Sequence, residues 1–242
     1  MASGALLILG MHRSGTSSLA GSLEQCGLQL GDVSHFNPSN RKGNREHPDV
    51  MSLNDRVLAS SGGSWDNPPE RIEWDDSLIL QRDELIGKLR KASSGLWGFK
   101  DPRTLLTIPF WLSGMKDCWL VGTVRHPLAV ANSMEVRGGM PRPKGLFLWR
   151  TYNQRMLEIW DQTPFPIVSF DESPEEYQRS VRLLAKQFGL STPVEGQPFF
   201  DDSMRHQLPA GMDGELTQSD WLMYQRLHSI YRSWRDRAER TP

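Results

Sequence analysis

"LLILGMHRSGTSSLAGSLEQCG", residues 6–27, is a short apolar run that turns through glycine into an amphipathic segment. Leu6-Leu7-Ile8-Leu9 has the unbroken apolar character of a parallel strand buried on both faces. Leu19, Leu23 and Cys26 then recur at helical spacing, and Gly27 stands where a helix would close. The turn between them nearly follows the phosphate-binding loop pattern G-x-x-x-x-G-K-[ST]. Gly10, Gly15 and Ser17 take their places in it, but Thr16 stands where the lysine would be, and the basic residue is Arg13, inside the loop. A strand that turns through glycines into a helix aims backbone N–H groups and the positive helix end at an anion. Arg13, Ser14, Gly15, Thr16 and Ser17 are therefore candidate anion ligands. The plainer alternative is a strand-to-helix turn with a Ser/Thr cap.

Outward from this unit the pattern alternates strand and helix. Strands are expected at 5–9, 96–99, 118–124 and 166–170. Helices are expected at 15–26, 48–60, 75–91, 104–112 with an interruption near Pro109, from Pro127 onward, at 146–161, at 174–188 and in the tail after about Thr217. Residues 30–45, 61–70 and 138–145 read as loops, being rich in Pro, Gly and Asn. Short apolar strands separated by helices predict an α/β fold, doubly wound around a mainly parallel sheet flanked by helices, with a helical C-terminal tail. Residues 1–242 are expected to form one domain.

Composition removes several functions. With 28 basic and 29 acidic residues the net charge is −1, so no global field draws the chain to nucleic acid or to a membrane surface. No apolar run approaches the ~20 residues of a bilayer span, and no signal peptide is visible. A soluble, cytoplasmic protein is expected, with Cys26 and Cys118 as buried, reduced thiols.

A second anion site is suggested by "GTVRHPLAVANSM", residues 122–134. Arg125 follows the strongest strand, at the end where ligands bind in open α/β sheets. Pro127 starts a helix, and Ser133 shares a helical face with Ala129 and Val130 that can turn it inward beside Arg125. A strand-end arginine in an ion pair and a serine tolerated in a helix would look the same, and this stretch alone does not choose. A magnesium-dependent nucleotide triphosphatase would need an acid at the end of an apolar strand, and the strand 118–124 ends in Arg125 instead.

Taken together, the two motifs resemble those of the sulfotransferases that use 3′-phosphoadenosine 5′-phosphosulfate (PAPS). "GMHRSGTSSL", "GFKDPRT" and "VRHPLAVANS" follow in the order of the bacterial-type branch, and "IVSFDESPEEYQRSVRLLAKQFGL", 167–190, is similar to its late strand–helix unit. The resemblance spans roughly residues 5–206 and implies a P-loop-like fold. It implies that the first loop grips the 5′-phosphosulfate and that Arg125 and Ser133, with the family's eight-residue separation, grip the 3′-phosphate. It implies PAPS as donor and adenosine 3′,5′-bisphosphate (PAP) as product, without a metal. The acceptor would be a small molecule, carbohydrate, lipid or peptide, with no nucleic-acid partner.

Lys100-Asp101-Pro102-Arg103 is similar to a Lys-Asp-Pro of the tyrosylprotein branch, whose lysine contacts the transferring group. That implies charge stabilisation by Lys100, while Asp101 reads as a helix-capping residue. Attack by an acceptor hydroxyl also needs a proton acceptor. Glu46 matches the glutamate that one branch places after a glycine and an aromatic pair, although Asn44 and Arg45 stand where the aromatics would be. His47 is its neighbouring rival, and a first-turn acid favoured by the helix dipole is the structural alternative. Of the other histidines, His12 is expected to shape the loop, His126 to face solvent, and His206 takes no role. Trp65 and Trp74 are candidates for acceptor contact. A P-loop small-molecule kinase and a non-catalytic PAP-binding module are the two competing functions.

Overall fold

The computed structural model describes residues 4–36, 43–192, 199 and 216–240. Four strands, Ala5–Leu9 (β1), Trp97–Lys100 (β2), Cys118–Val124 (β3) and Ile167–Ser169 (β4), form a parallel sheet in the order β2-β1-β3-β4. Leu7 of β1 lies beside Phe99 of β2 and Leu120 of β3. From β1 the chain moves to one side to form β2, then passes to the other side for β3. That reversal opens a crevice beyond the carboxyl ends of β1 and β3.

Eight helices are seen among the described residues: Thr16–Gln25 (α1), Pro48–Ser60 (α2), Asp76–Lys91 (α3), Thr104–Leu112 (α4), Pro127–Gly138 (α5), Arg142–Gln162 (α6), Pro174–Gln187 (α7) and Gln218–Arg240 (α8). They cover both faces of the sheet, and this is why β1 is apolar without alternation. Ala5, Leu7 and Leu9 enter one core with Leu53 of α2, Leu105 of α4 and Trp149 of α6. Leu6 and Ile8 enter the other with Leu19 and Leu23 of α1 and Tyr177 and Val181 of α7. Helix α8 packs on β4 and α7 and sends Leu227 and Ile230 to the first core and Tyr231 and Trp234 to the second. It thereby covers the edge of the sheet. No helix among the described residues is long and apolar enough to cross a membrane.

The expected doubly wound α/β architecture is the one observed, and the described strands are all parallel. Most element boundaries fall within a residue of expectation, and two features differ more. Helix α4 runs through Pro109 without interruption, held by the burial of Leu105, Leu106, Ile108, Phe110 and Trp111. Helix α6 begins at Arg142, inside the expected 138–145 loop, because Pro143 lies in the first turn, where its missing N–H has no bond to lose. Cys26 is buried as expected, whereas Cys118, at the open start of β3, is only half-buried; both are free thiols.

Candidate functional site

The loop after β1 is held in an unusual backbone shape. Arg13 adopts a left-handed conformation, φ +67°, which is rare for a residue with a side chain. Gly15 caps α1 at φ +92°, and Phe170 fills the space a side chain would need, 2.3 Å from an added Cβ. Ser14 turns both its amide and its hydroxyl onto the carbonyl of Met11, at 3.3 and 2.5 Å. Its side chain therefore builds the loop. Thr123, near the end of β3, donates its hydroxyl to the Ser14 carbonyl at 3.0 Å, tying the loop to the neighbouring strand.

The two anion motifs meet in this crevice. Arg125, directly after β3, donates from Nη1 to the Arg13 carbonyl at 3.2 Å and lies 5.4 Å over the Phe170 ring. Arg13 in turn donates from Nε to Ser133 Oγ at 3.1 Å, across 120 residues of sequence. Ser133 is turned inward and buried, as its helical face predicts, and its protein partner is Arg13. Burial lowers the pKa of Arg13 to about 10, and the positive charges of Arg137 and Arg125 push in the same direction. Arg13 and Arg125, joined through the Arg13 carbonyl, place two guanidinium groups together, which suits a ligand with more than one negative charge.

Lys100 closes β2, one strand over from the loop, and its side chain is 1% exposed. Its Nζ lies 2.8 Å from Glu46 Oε1 and donates to Ser17 Oγ at 3.2 Å. The structure thus brings together Lys100, Glu46 and the phosphate-type loop. Glu46 is held by its neighbours: Arg45 bonds Glu24 of α1 at 2.7 Å, and the 45–46 backbone pairs with Ser34 at 3.1 and 3.4 Å. His47 goes elsewhere. Its Nδ1 accepts from the Asp49 amide at 3.2 Å and caps α2, and burial lowers its pKa. Asp101 accepts from the Arg103 amide at 2.7 Å at the start of α4 and pairs with the Arg103 guanidinium at 3.1 Å. Its complete burial pushes the carboxyl up to about 6.

His12 does more than shape the loop. Its ring lies 4.6 Å from Trp65, tilted against it, and meets Tyr152 edge-on at 6.0 Å, while Tyr152 donates its hydroxyl to the Trp65 carbonyl at 2.9 Å. Burial holds the imidazole well below its ordinary pKa, reinforced by Arg103, Lys100 and Arg13, so it is neutral at pH 7. This wall opens on a cleft of about 650 Å³ that Arg13 and Ser133 also line. Trp65 therefore forms part of the cleft wall. Trp74 packs on Phe110 at 5.6 Å, as part of the core. His126, expected at the solvent face, is half-buried between Tyr224 and Trp221 of α8, 5.0 and 6.3 Å away. His206 lies outside the described residues. Arg137, a further cleft residue, was not singled out by motif, although it stands one helical turn beyond Ser133 and helix spacing would point to it.

No protein-family profile matches the sequence, and no curated protein matches it. Solved structures do match in shape. The sulfotransferase domain from the curacin biosynthetic pathway aligns with a TM-score of 0.60 at 14% identity, over 93% of this chain and 97% of that one. A sulfotransferase from Alicyclobacillus acidocaldarius gives 0.58 at 17% identity, over 94% and 95%. The sulfotransferase domain of the Synechococcus PCC 7002 olefin synthase gives 0.51 at 16% identity, over 93% and 87%. The chain has the fold of these P-loop-like bacterial sulfotransferase domains.

Proposed function

We propose that the chain is a PAPS-dependent sulfotransferase that moves a sulfuryl group to a hydroxyl or amine, releasing PAP. The observation that carries this reading is the direct linkage of the two anion sites. Arg13 reaches Ser133 and Arg125 reaches the Arg13 carbonyl, so the loop after β1 is joined both to the end of β3 and to α5. A donor with phosphate groups at both ends of its ribose needs such a pair of sites. When bound, it supplies an activated sulfuryl group on a phosphate leaving group.

The residues divide the work. Backbone amides of the loop with Thr16 and Ser17 would bind the 5′ end, Arg125 and Ser133 the 3′-phosphate, and Arg13 lies between them. Lys100 would stabilise negative charge developing on the leaving phosphate. Glu46 would accept the acceptor's proton. Its contact with Lys100 connects the two roles: a carboxylate whose counter-ion is drawn toward other negative charge is the more ready proton acceptor. His47 is occupied as a helix cap, which leaves Glu46 the better placed of the two.

Isothermal titration of the protein with PAP and with ATP–Mg²⁺ tests the donor. Metal-independent PAP binding stronger than ATP–Mg²⁺ binding is expected. Preference for ATP–Mg²⁺ would move the assignment to a kinase. Incubation with PAPS and a host extract, read by mass spectrometry for sulfate gain, tests transfer. PAP binding without any sulfated product would leave a non-catalytic binding module.

A further inference from the structure

The cleft beside the loop carries two cations, Arg137 and Lys144, besides Arg13 of the anion loop. It is bounded at one end by His12, Arg13 and Ser133 and extends to the far end of α5 and the start of α6. Trp65, Met134 and Met140 give it an aromatic and apolar surface, and Arg137 and Lys144 add positive charge. Against the cations Arg13, Arg137 and Lys144, the described lining holds one carboxylate, Asp66, which already accepts from Ser64 Oγ at 2.6 Å. Lys144 has no ion pair among the described residues and lies 5.2 Å over the Phe147 ring. Arg137 stands one turn beyond Ser133 on α5, and its positive charge is felt at Arg13.

We propose that this cleft is the acceptor site, and that the acceptor carries an anionic group held by Lys144 and Arg137 beside an apolar or aromatic portion held by Trp65, Met134 and Met140. This inference rests on the sulfotransferase reading and narrows its substrate class. Like charges gathered around a partly desolvated cleft repel one another, and an anion relieves that repulsion while a neutral or cationic molecule does not. The apolar wall supplies affinity without direction, and the cations set orientation, leaving the acceptor's nucleophile to face Arg13 and the loop.

The test uses PAP-saturated protein and three matched probes: 2-naphthoate, 2-naphthalenesulfonate and the neutral 2-naphthamide, with affinities measured by ligand-observed NMR. The two anions are expected to bind at least about tenfold tighter than the amide, as a charge-assisted contact implies. Lys144→Gln should weaken both anions at least about fivefold and leave naphthamide unchanged. Arg137→Gln, on an exposed stretch of α5, provides a second variant with the same expectation. Calorimetry should find PAP affinity within about threefold of wild type in both. Equal binding of the three probes, or no measurable binding of any, would overturn the proposal. So would a more than tenfold loss of PAP affinity in Lys144→Gln, which would assign these cations to the donor. Failure of the wild type to bind PAP would be a different result, overturning the donor reading itself and this inference with it.

Discussion

Lys100 and Glu46 form an ion pair that is almost wholly removed from water, with side chains 1% and 11% exposed. Removing one member of such a pair leaves a buried charge without its partner, which typically costs about 3–5 kcal/mol. Lys100→Ala should therefore lower the urea midpoint strongly, whereas Glu46→Gln keeps an acceptor for the ammonium and should cost less. The double variant Lys100→Met/Glu46→Leu should recover part of the loss. Additive losses in the double variant would mean the pair does not act as a unit. In turnover, once an acceptor is known, Lys100→Ala should cost about 10²–10³ and Glu46→Gln about 10²–10⁴. Asp101 supplies a pH signature nearby. Burial raises its carboxyl from an ordinary 3.8 to about 6, so between those values the folded chain holds the proton that the unfolded chain has released. Its contribution is complete below pH 3.8, shrinks as pH rises and is lost above about 6. At about 1.4 kcal/mol per pKa unit, that contribution is roughly 3 kcal/mol. The stability difference between wild type and Asp101→Asn should fall across this window in urea titrations. A difference constant with pH would show that Asp101 titrates normally.

At the scale of elements, the loop-to-helix junction depends on Gly15 for two reasons. Its φ of +92° is unfavourable for any residue with a Cβ, and Phe170 from the far side of the sheet occupies the space beside it. A left-handed residue costs about 1–2 kcal/mol, and overpacking adds about 1–3 kcal/mol. Gly15→Ala should therefore lower the free energy of unfolding by about 2–5 kcal/mol in urea titrations, and adding Phe170→Ala should not return the backbone part. Complete rescue by the second change would mean the clash alone matters. The elements themselves were largely legible. Leu6–Leu9 and "CWLVGTV" are unbroken apolar runs because helices cover both faces of the sheet, and Pro48, Pro127 and Pro174 mark helix starts at their first turns. Where reading by residue type failed, burial or position overrode composition: Pro109 sits in a helix nearly all of whose residues are buried, and Pro143 falls in a first turn. The site was legible as separate motifs but not as a constellation. Glu46 and Lys100 are 54 residues apart, and Arg13 and Ser133 are 120 apart. Only the sheet order makes them neighbours, and no local pattern encodes it.

For the whole molecule, the two anion motifs hang on different strands, and their contacts to one another run through arginine. The loop belongs to β1, Arg125 and Ser133 to β3 and α5, and Lys100 to β2. A ligand that engages all of them bridges three consecutive strands of the sheet and should stabilise the fold as a unit. Binding to the folded state alone adds about 2.7 kcal/mol at a ligand concentration of 100 Kd. For a chain of this size each kcal/mol raises Tm by about 2–4 °C, so saturating PAP should raise Tm by roughly 5–11 °C. An equal concentration of 5′-AMP, which cannot reach Arg125 and Ser133 with a 3′-phosphate, should give a much smaller shift. Arg125→Ala should bring the PAP shift down to the 5′-AMP level while leaving the 5′-AMP shift unchanged, since only the 3′ group loses its partner. Differential scanning fluorimetry across a concentration series reads all four combinations. Equal reduction of both shifts would place Arg125 in the loop's support through its bond to the Arg13 carbonyl, and the 3′-phosphate would then need a different holder.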